Sequence, residues 1–191
     1  MRIGILTQGA VREHQKILAH CEVESVLIRT PQDVGFIDGL IISGSGGIAI
    51  DSLMSESKLR QAIIKKTQQG IPILGTGSGL AMLAKDIENS DGFSLSLMDI
   101  KICLHTYSKE ADRFQEKIII DALGKAPFPA LFVNAPHVES VKPNVGILAE
   151  NRGKIVMVRQ GNCLGTTFCP ELTDDLRVHL YFKQMIEDAK G

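Results

Sequence analysis

Leu40-Ile41-Ile42-Ser43-Gly44-Ser45-Gly46-Gly47 and, further on, Ile71-Pro72-Ile73-Leu74-Gly75-Thr76-Gly77-Ser78-Gly79 share one design. Each is a short apolar run without polar alternation, which is how a strand covered on both faces reads, and each runs into glycines that make a tight loop at the strand's carboxyl end. Working outward, Arg2 to Leu6 and Glu24 to Ile28 are two further strands, the second closed by Thr30-Pro31, because the residue before a proline is pushed out of the helical region. Amphipathic stretches separate these runs. One passes through Val11, Ile17 and Leu18; another, Ser57 to Gln69, places Leu59, Ile63 and Ile64 on one face and stops at Gly70. Strand and helix alternating in this order predict a parallel sheet with helices on both faces.

After Gly79 the sequence predicts a helix over Leu80 to Lys85. From Lys101 onward the spacing shortens to strands with Gly and Pro punctuation: Lys117 to Ile120, Ala130 to Val133, Gly146 to Ala149, Lys154 to Arg159 and Leu164 to Phe168. This half is expected to add antiparallel pairs, with Asn151-Arg152-Gly153 as a hairpin turn. A last helix is expected near Thr173, whose hydroxyl can cap it, with Asp174 and Asp175 in its first turn and Val178, Tyr181, Phe182, Met185 and Ile186 as its buried stripe.

The 191 residues suit one domain over 1–191, and 21 basic against 22 acidic side chains, without runs of like charge, disfavour a nucleic-acid binder. The apolar stretches are too short for a transmembrane helix, and the first residues read as a strand, not a signal peptide, so a cytoplasmic protein without membrane contact is expected. Cys21, Cys103, Cys163 and Cys169 show no C-x-x-C spacing and are read as free thiols. Cys103, Cys163, His105 and His179 share no metal-ligand spacing, so neither metal nor cofactor is expected. His14 and His137 are read as surface or packing residues.

In open α/β sheets ligands sit beyond the carboxyl ends of the strands, where Gln8-Gly9, Gly44 to Gly47 and Gly75 to Gly79 converge. The last of these is built like a nucleophile elbow with Gly77 at its apex. Ile3-Gly4-Ile5-Leu6-Thr7-Gln8-Gly9-Ala10, Arg12-Glu13-His14, Asp38 to Ile42, Gly75-Thr76, Gly79-Leu80, Ala84-Lys85, Phe132, Ala135-Pro136, Val158 to Gly161 and Pro170-Glu171-Leu172-Thr173 resemble the glutaminase subunits of pyridoxal 5'-phosphate synthase, which are class I glutamine amidotransferases. The resemblance runs from about Ile3 to Met185. It implies a three-layer, flavodoxin-like fold with a mostly parallel central sheet and antiparallel C-terminal strands. It also implies a cysteine at the elbow that attacks the carboxamide of glutamine, a histidine as base, a glutamate that orients the histidine, and a synthase partner that receives the ammonia.

This chain departs from that pattern at its chemical positions. The elbow cysteine is Gly77, the base histidine is Cys169, and only the orienting acid, Glu171, remains. A carboxylate without an imidazole to hold has no catalytic task. By family position the substrate would meet Gln8, Gly44, Ser45, Gly46, Ser78, Leu104, Val133 and Asn134. Of these, Gly46 replaces a glutamate, while Leu104 and Asn134 replace arginines, which puts glutamine binding in doubt. So many losses together read as natural degeneration.

Three functions follow as expectations. The first is a non-catalytic member of vitamin B6 biosynthesis that serves as a scaffold or binds the synthase subunit. The second is a small-anion or phosphate binder using the glycine-rich loops as a nest of backbone donors. The third is an amidotransferase working by another mechanism. For that third reading, Ser78 is expected to point toward helix packing, and Cys169 to face the vacated pocket without a group to lower its pKa.

Overall fold

A computed structural model describes residues 1–6, 9–44, 57–88, 94–104 and 113–191. The parallel half comes first, with β1 (Arg2–Leu6), α1 (Val11–His20), β2 (Glu24–Ile28), β3 (Gly39–Gly44), α2 (Ser57–Gln68) and β4 (Ile73–Gly77). A 3-10 turn over Ser78–Leu83 then leads into β5 (Ala84–Ile87) and β6 (Met98–Cys103). The remainder is β7 (Arg113–Ile118), β8 (Phe128–Val133), β9 (His137–Val141), β10 (Gly146–Asn151), β11 (Lys154–Gln160), β12 (Cys163–Thr166) and α3 (Arg177–Asp188).

Among the described residues, ten strands form one sheet in the order β2-β1-β3-β4-β12-β11-β9-β6-β5, with β10 paired to β11. The strands from β2 to β12 run parallel, and Cys163 to Thr166 lie beside Ile73 to Thr76. Antiparallel pairing begins where β11 meets β12 and continues through β10 and β9, as the closer spacing predicts. β7 and β8 stand apart as an antiparallel pair.

Alternation within the strands feeds two cores. Ile3, Ile5, Ile41, Leu74 and Leu164 point to the side covered by α1 and α3, where Phe128, Phe132, Phe168 and Phe182 fill the largest volumes. Leu6, Leu40, Ile42 and Ile73 point to the other side, covered by Leu59 and Ile63 of α2 and by Leu80 and Leu83. Fully burying such an aliphatic side chain contributes about 1.5 to 3 kcal/mol.

Several sequence expectations need correction. The helix expected over Leu80 to Lys85 is the 3-10 turn Ser78–Leu83, and Lys85 lies on β5. The strand expected at Lys117 to Ile120 is Arg113–Ile118. The last helix starts at Arg177, four residues beyond Thr173. The Thr173 hydroxyl donates to the Pro170 carbonyl and accepts the Asp175 N–H, while the Arg177 N–H donates to Asp175 Oδ1 at 3.0 Å. The local cap is thus spent on a turn before the helix. The hairpin at Arg152-Gly153 has positive φ at both central residues, 51° and 72°, which suits the right-handed twist of its strands.

A Cβ on Gly79 would stand 2.8 Å from the Ile42 carbonyl carbon, and the obstacle is backbone that cannot swing away. G79A is expected to lower stability by about 1 to 3 kcal/mol. G146A, whose Cβ would meet nothing closer than the Arg159 carbonyl oxygen at 3.6 Å, should leave it nearly unchanged. Denaturant midpoints of the two variants check the contrast.

Candidate functional site

The central strands set the site's floor. β4 runs between β3 and β12, with Gly44 beside Gly77 and Ser43 and Thr166 flanking Thr76. At its carboxyl end Gly77 turns with φ 56° and ψ −130°, a conformation that strains any residue with a Cβ, and its N–H donates to the Phe168 carbonyl. That bond brings the exit of β12 alongside. The Cys169 N–H donates to the Leu131 carbonyl of β8 at 2.8 Å, and the chain then makes one 3-10 turn, Pro170–Leu172, which carries Glu171.

Gly77 and Cys169 therefore meet. A Cβ on Gly77 would lie 3.1 Å from the Cys169 sulfur and 2.8 Å from the Gly44 carbonyl oxygen. Cys169 is 2% exposed. Burial pushes its thiol far above the ordinary range; Glu171 adds to the rise and Arg113 opposes it. This sulfur stays protonated at any physiological pH.

The Ser78 hydroxyl occupies the space that a Cβ on Gly44 would need. Leu104, half-buried just beyond β6, packs against the core on the α2 side. Val133 and Asn134 end β8, two and three residues past the carbonyl that takes the Cys169 N–H, and Asn134 is exposed with a φ of 42°. Gln8, Ser45 and Gly46 lie outside the described residues. The fold thus gathers Gly44, Gly77, Ser78, Cys169 and Glu171 into one place and sets Leu104 on the other core.

Glu171 is 4% exposed and has found a partner the sequence reading did not assign. The Thr76 hydroxyl donates to Oε1 at 3.3 Å, and His14 Nε2 lies 3.6 Å from the same oxygen. Oε2 has no hydrogen-bond partner among the described residues. Behind His14 stands His179 on α3, its Nε2 3.0 Å from His14 Nδ1. Both rings are fully buried, and burial holds both below the ordinary histidine value, His179 at about 4. A signal for this cluster was present in the sequence, because His14 falls three and four residues before Ile17 and Leu18, and His179 three and seven before Phe182 and Ile186. Both are stripe positions.

The chain offers no side chain at the Gly77 apex, and the sulfur beside it, that of Cys169, is held protonated. Its overall likeness is nevertheless unambiguous, for residues 5–188 match the model of the SNO glutamine amidotransferase family. The chain belongs to that family. Among similar SNO members, the pyridoxal 5'-phosphate synthase subunit PdxT of Carboxydothermus hydrogenoformans is 41% identical over 97% of this chain and 98% of that protein. The subunit PdxT of Moorella thermoacetica is 43% identical over 97% of this chain and 100% of that protein. A solved glutamine amidotransferase superposes with a TM-score of 0.91 at 28% identity, covering 97% of this chain and 98% of that one. The family's fold is therefore kept along nearly the whole chain.

The environment of Glu171 has a measurable consequence. Burial, aided by the repulsion of Glu13 and opposed by the Thr76 hydrogen bond, pushes its carboxyl from 4.5 up to about 7. Between those values the folded protein holds a proton that the unfolded chain has released, so stability falls as pH rises through this window and stays reduced above it. The stability advantage of E171Q over the parent is expected to grow by about 3 kcal/mol from below pH 4.5 to above pH 7. Melting temperatures across that range check it, and a difference that does not change with pH defeats the assignment.

Proposed function

We propose that this chain is a glutaminase-like subunit of pyridoxal 5'-phosphate biosynthesis that no longer hydrolyses glutamine and acts in the cytoplasm as a scaffold or partner-binding subunit for a synthase. One observation carries the reading. At the elbow, where the family places its nucleophile, Gly77 offers no side chain, and the Gly44 carbonyl and the Cys169 sulfur close the space a nucleophile would fill. Removing one member of a comparable triad costs on the order of 10^4 to 10^6 in rate, and losing nucleophile and base together leaves no covalent route.

Among the described residues the other two readings gain no support from the geometry. Gly44 and Gly79 are accounted for by close backbone packing, so an anion nest is not needed to explain them. A replacement nucleophile would have to be Cys169, whose thiol is buried and held protonated, or Ser78, which packs over Gly44. Similarity along nearly the whole chain, including the α1 segment Arg12-Glu13-His14, supports retention of the partner-binding side of the family's role.

Two measurements on the same sample test the proposal: co-purification with the synthase subunit of the same organism, and ammonia release from glutamine. Retention of the synthase with ammonia at background is the expected result. Saturable hydrolysis abolished by C169S would overturn it, and failure of the two subunits to associate would remove the scaffold role. G77C/C169H should recover little activity, because Gly46, Leu104 and Asn134 leave the substrate unanchored.

G77C alone should be no more stable than the parent, given the positive φ and the Gly44 carbonyl. Its new sulfur is expected to pair with Cys169 under mild oxidation. The 3.1 Å between the added Cβ and the Cys169 sulfur is the separation, about 3 Å, that a disulfide sets between those two atoms. Intact-mass measurement before and after reduction reads the pairing.

A further inference from the structure

Glu171, Thr76, His14 and His179 come from four separate elements and are each buried to within 4% of complete. Their polar atoms form an unbroken line: His179 Nε2 to His14 Nδ1 at 3.0 Å, His14 Nε2 to Thr76 Oγ1 at 3.4 Å, and Thr76 Oγ1 to Glu171 Oε1 at 3.3 Å. Among the described residues the line ends at both sides in an unsatisfied atom, His179 Nδ1 and Glu171 Oε2. A hydroxyl donates one proton and accepts another, and a neutral imidazole does the same through its two nitrogens, so every internal link can run in either direction.

We propose that these four side chains form a proton relay with two states, in which the protonation of Glu171 sets the tautomer of both histidines. With Glu171 ionised, Thr76 donates to Oε1, His14 donates from Nε2 to Thr76, and His179 donates from Nε2 to His14 Nδ1. His179 Nδ1 is then bare. Taking up one proton at His179 Nδ1 reverses the line, each hydrogen passing one link toward Glu171. Glu171 donates to Thr76, Thr76 to His14 Nε2, and His14 from Nδ1 to His179 Nε2, with the last N–H on His179 Nδ1. The cluster gains one proton, its charge goes from −1 to 0, and both rings stay neutral throughout.

Two features favour this over a fixed structural cluster. The unpartnered atoms at the ends are what a line able to point either way leaves behind, whereas a single fixed arrangement in a buried site is normally satisfied. Both rings lie wholly inside the core while Glu171 borders the cleft between α1 and the turn before α3, so the line joins a proton bound at a core histidine to an acid at the cleft. The ionisable groups around the relay are Glu13, Lys16 and His20 of α1 on the cleft wall, Asp174 opposite them, Cys169 beside Glu171, and Lys183 of α3, whose ammonium is held by the Cys21 carbonyl. Glu13 opposes ionisation of Glu171, and the burial of both rings keeps the charge off the imidazoles. The relay ties α1, β4, α3 and the Pro170–Leu172 turn to one proton.

Nitrogen-15 NMR of histidine-labelled protein between about pH 5 and about pH 9 reads both tautomers directly. In the parent, His14 and His179 are expected to exchange Nδ1–H for Nε2–H as pH rises, in one transition with a shared midpoint and without an imidazolium signature. Either ring keeping one tautomer throughout, or either becoming a cation in that range, overturns the proposal. E171Q should abolish the transition. T76V should leave the Glu171 carboxyl titrating, as seen by carbon-13, while the histidines stop following it. Histidines that still switch in either variant would also overturn it.

Discussion

Where β3 and β4 leave the sheet, backbone meets backbone with no room for an intervening Cβ. Gly79 presses on the Ile42 and Ser43 carbonyl groups, and the direction in which Gly77 would project a side chain is crossed by the Gly44 carbonyl. This contact fixes how the two central parallel strands end, and thereby where the exit of β12 docks, since the Gly77 N–H binds the Phe168 carbonyl. The position of Cys169 and Glu171 follows from that one hydrogen bond and from the Leu131 carbonyl that takes the next free N–H. Glycine at the apex lets the strands close more tightly than a side chain there would allow.

Glu171 illustrates how a carboxylate behaves when the fold buries it among neutral groups. Leaving a carboxylate unpaired in a dry site is costly, and deleting one member of a buried polar network does not make the others neutral bystanders. Here Glu171 is served by the Thr76 hydroxyl and by the approach of His14, and its ionisation is partly suppressed. The network that results ties the sheet to the helical layer on one of its faces, because Thr76 belongs to β4, His14 to α1 and His179 to α3.

What could be read from the sequence, and what could not, divides along physical lines. β1 and β2 were legible to the residue, and β3 in outline, because uninterrupted apolar runs bounded by turn residues have few alternative readings. The segment Ser78 to Leu83 was not: Gly79 to Leu83 are all buried, so there is no polar face from which a period could be measured. The start of α3 was misjudged because Thr173 has the chemistry of a cap, and only the three-dimensional path shows that Asp175 receives the first helical N–H instead. β6 did carry a signal, since Met98, Ile100 and Ile102 are buried in alternation with half-exposed neighbours, yet it lies outside the strands read there. At the centre, the places of Gly77, Cys169 and Glu171 were legible only by family resemblance. No local pattern announces a contact such as Thr76 with Glu171, 95 residues apart, or His14 with His179, 165 apart.

The position of β12 bears on how this protein comes into being. It is the last strand in the chain and among the innermost in the sheet, inserted between β4 and β11 and parallel to the former. A ribosome therefore releases β2, β1, β3 and β4 long before the strand that will cover the open side of β4. During that interval the most apolar strands of the molecule present an unpaired edge, the feature that invites pairing with other chains. Closing it requires contacts between distant parts of the sequence, which form slowly. Yield in the cell should thus be governed by protection of this edge during synthesis more than by the stability of the finished fold.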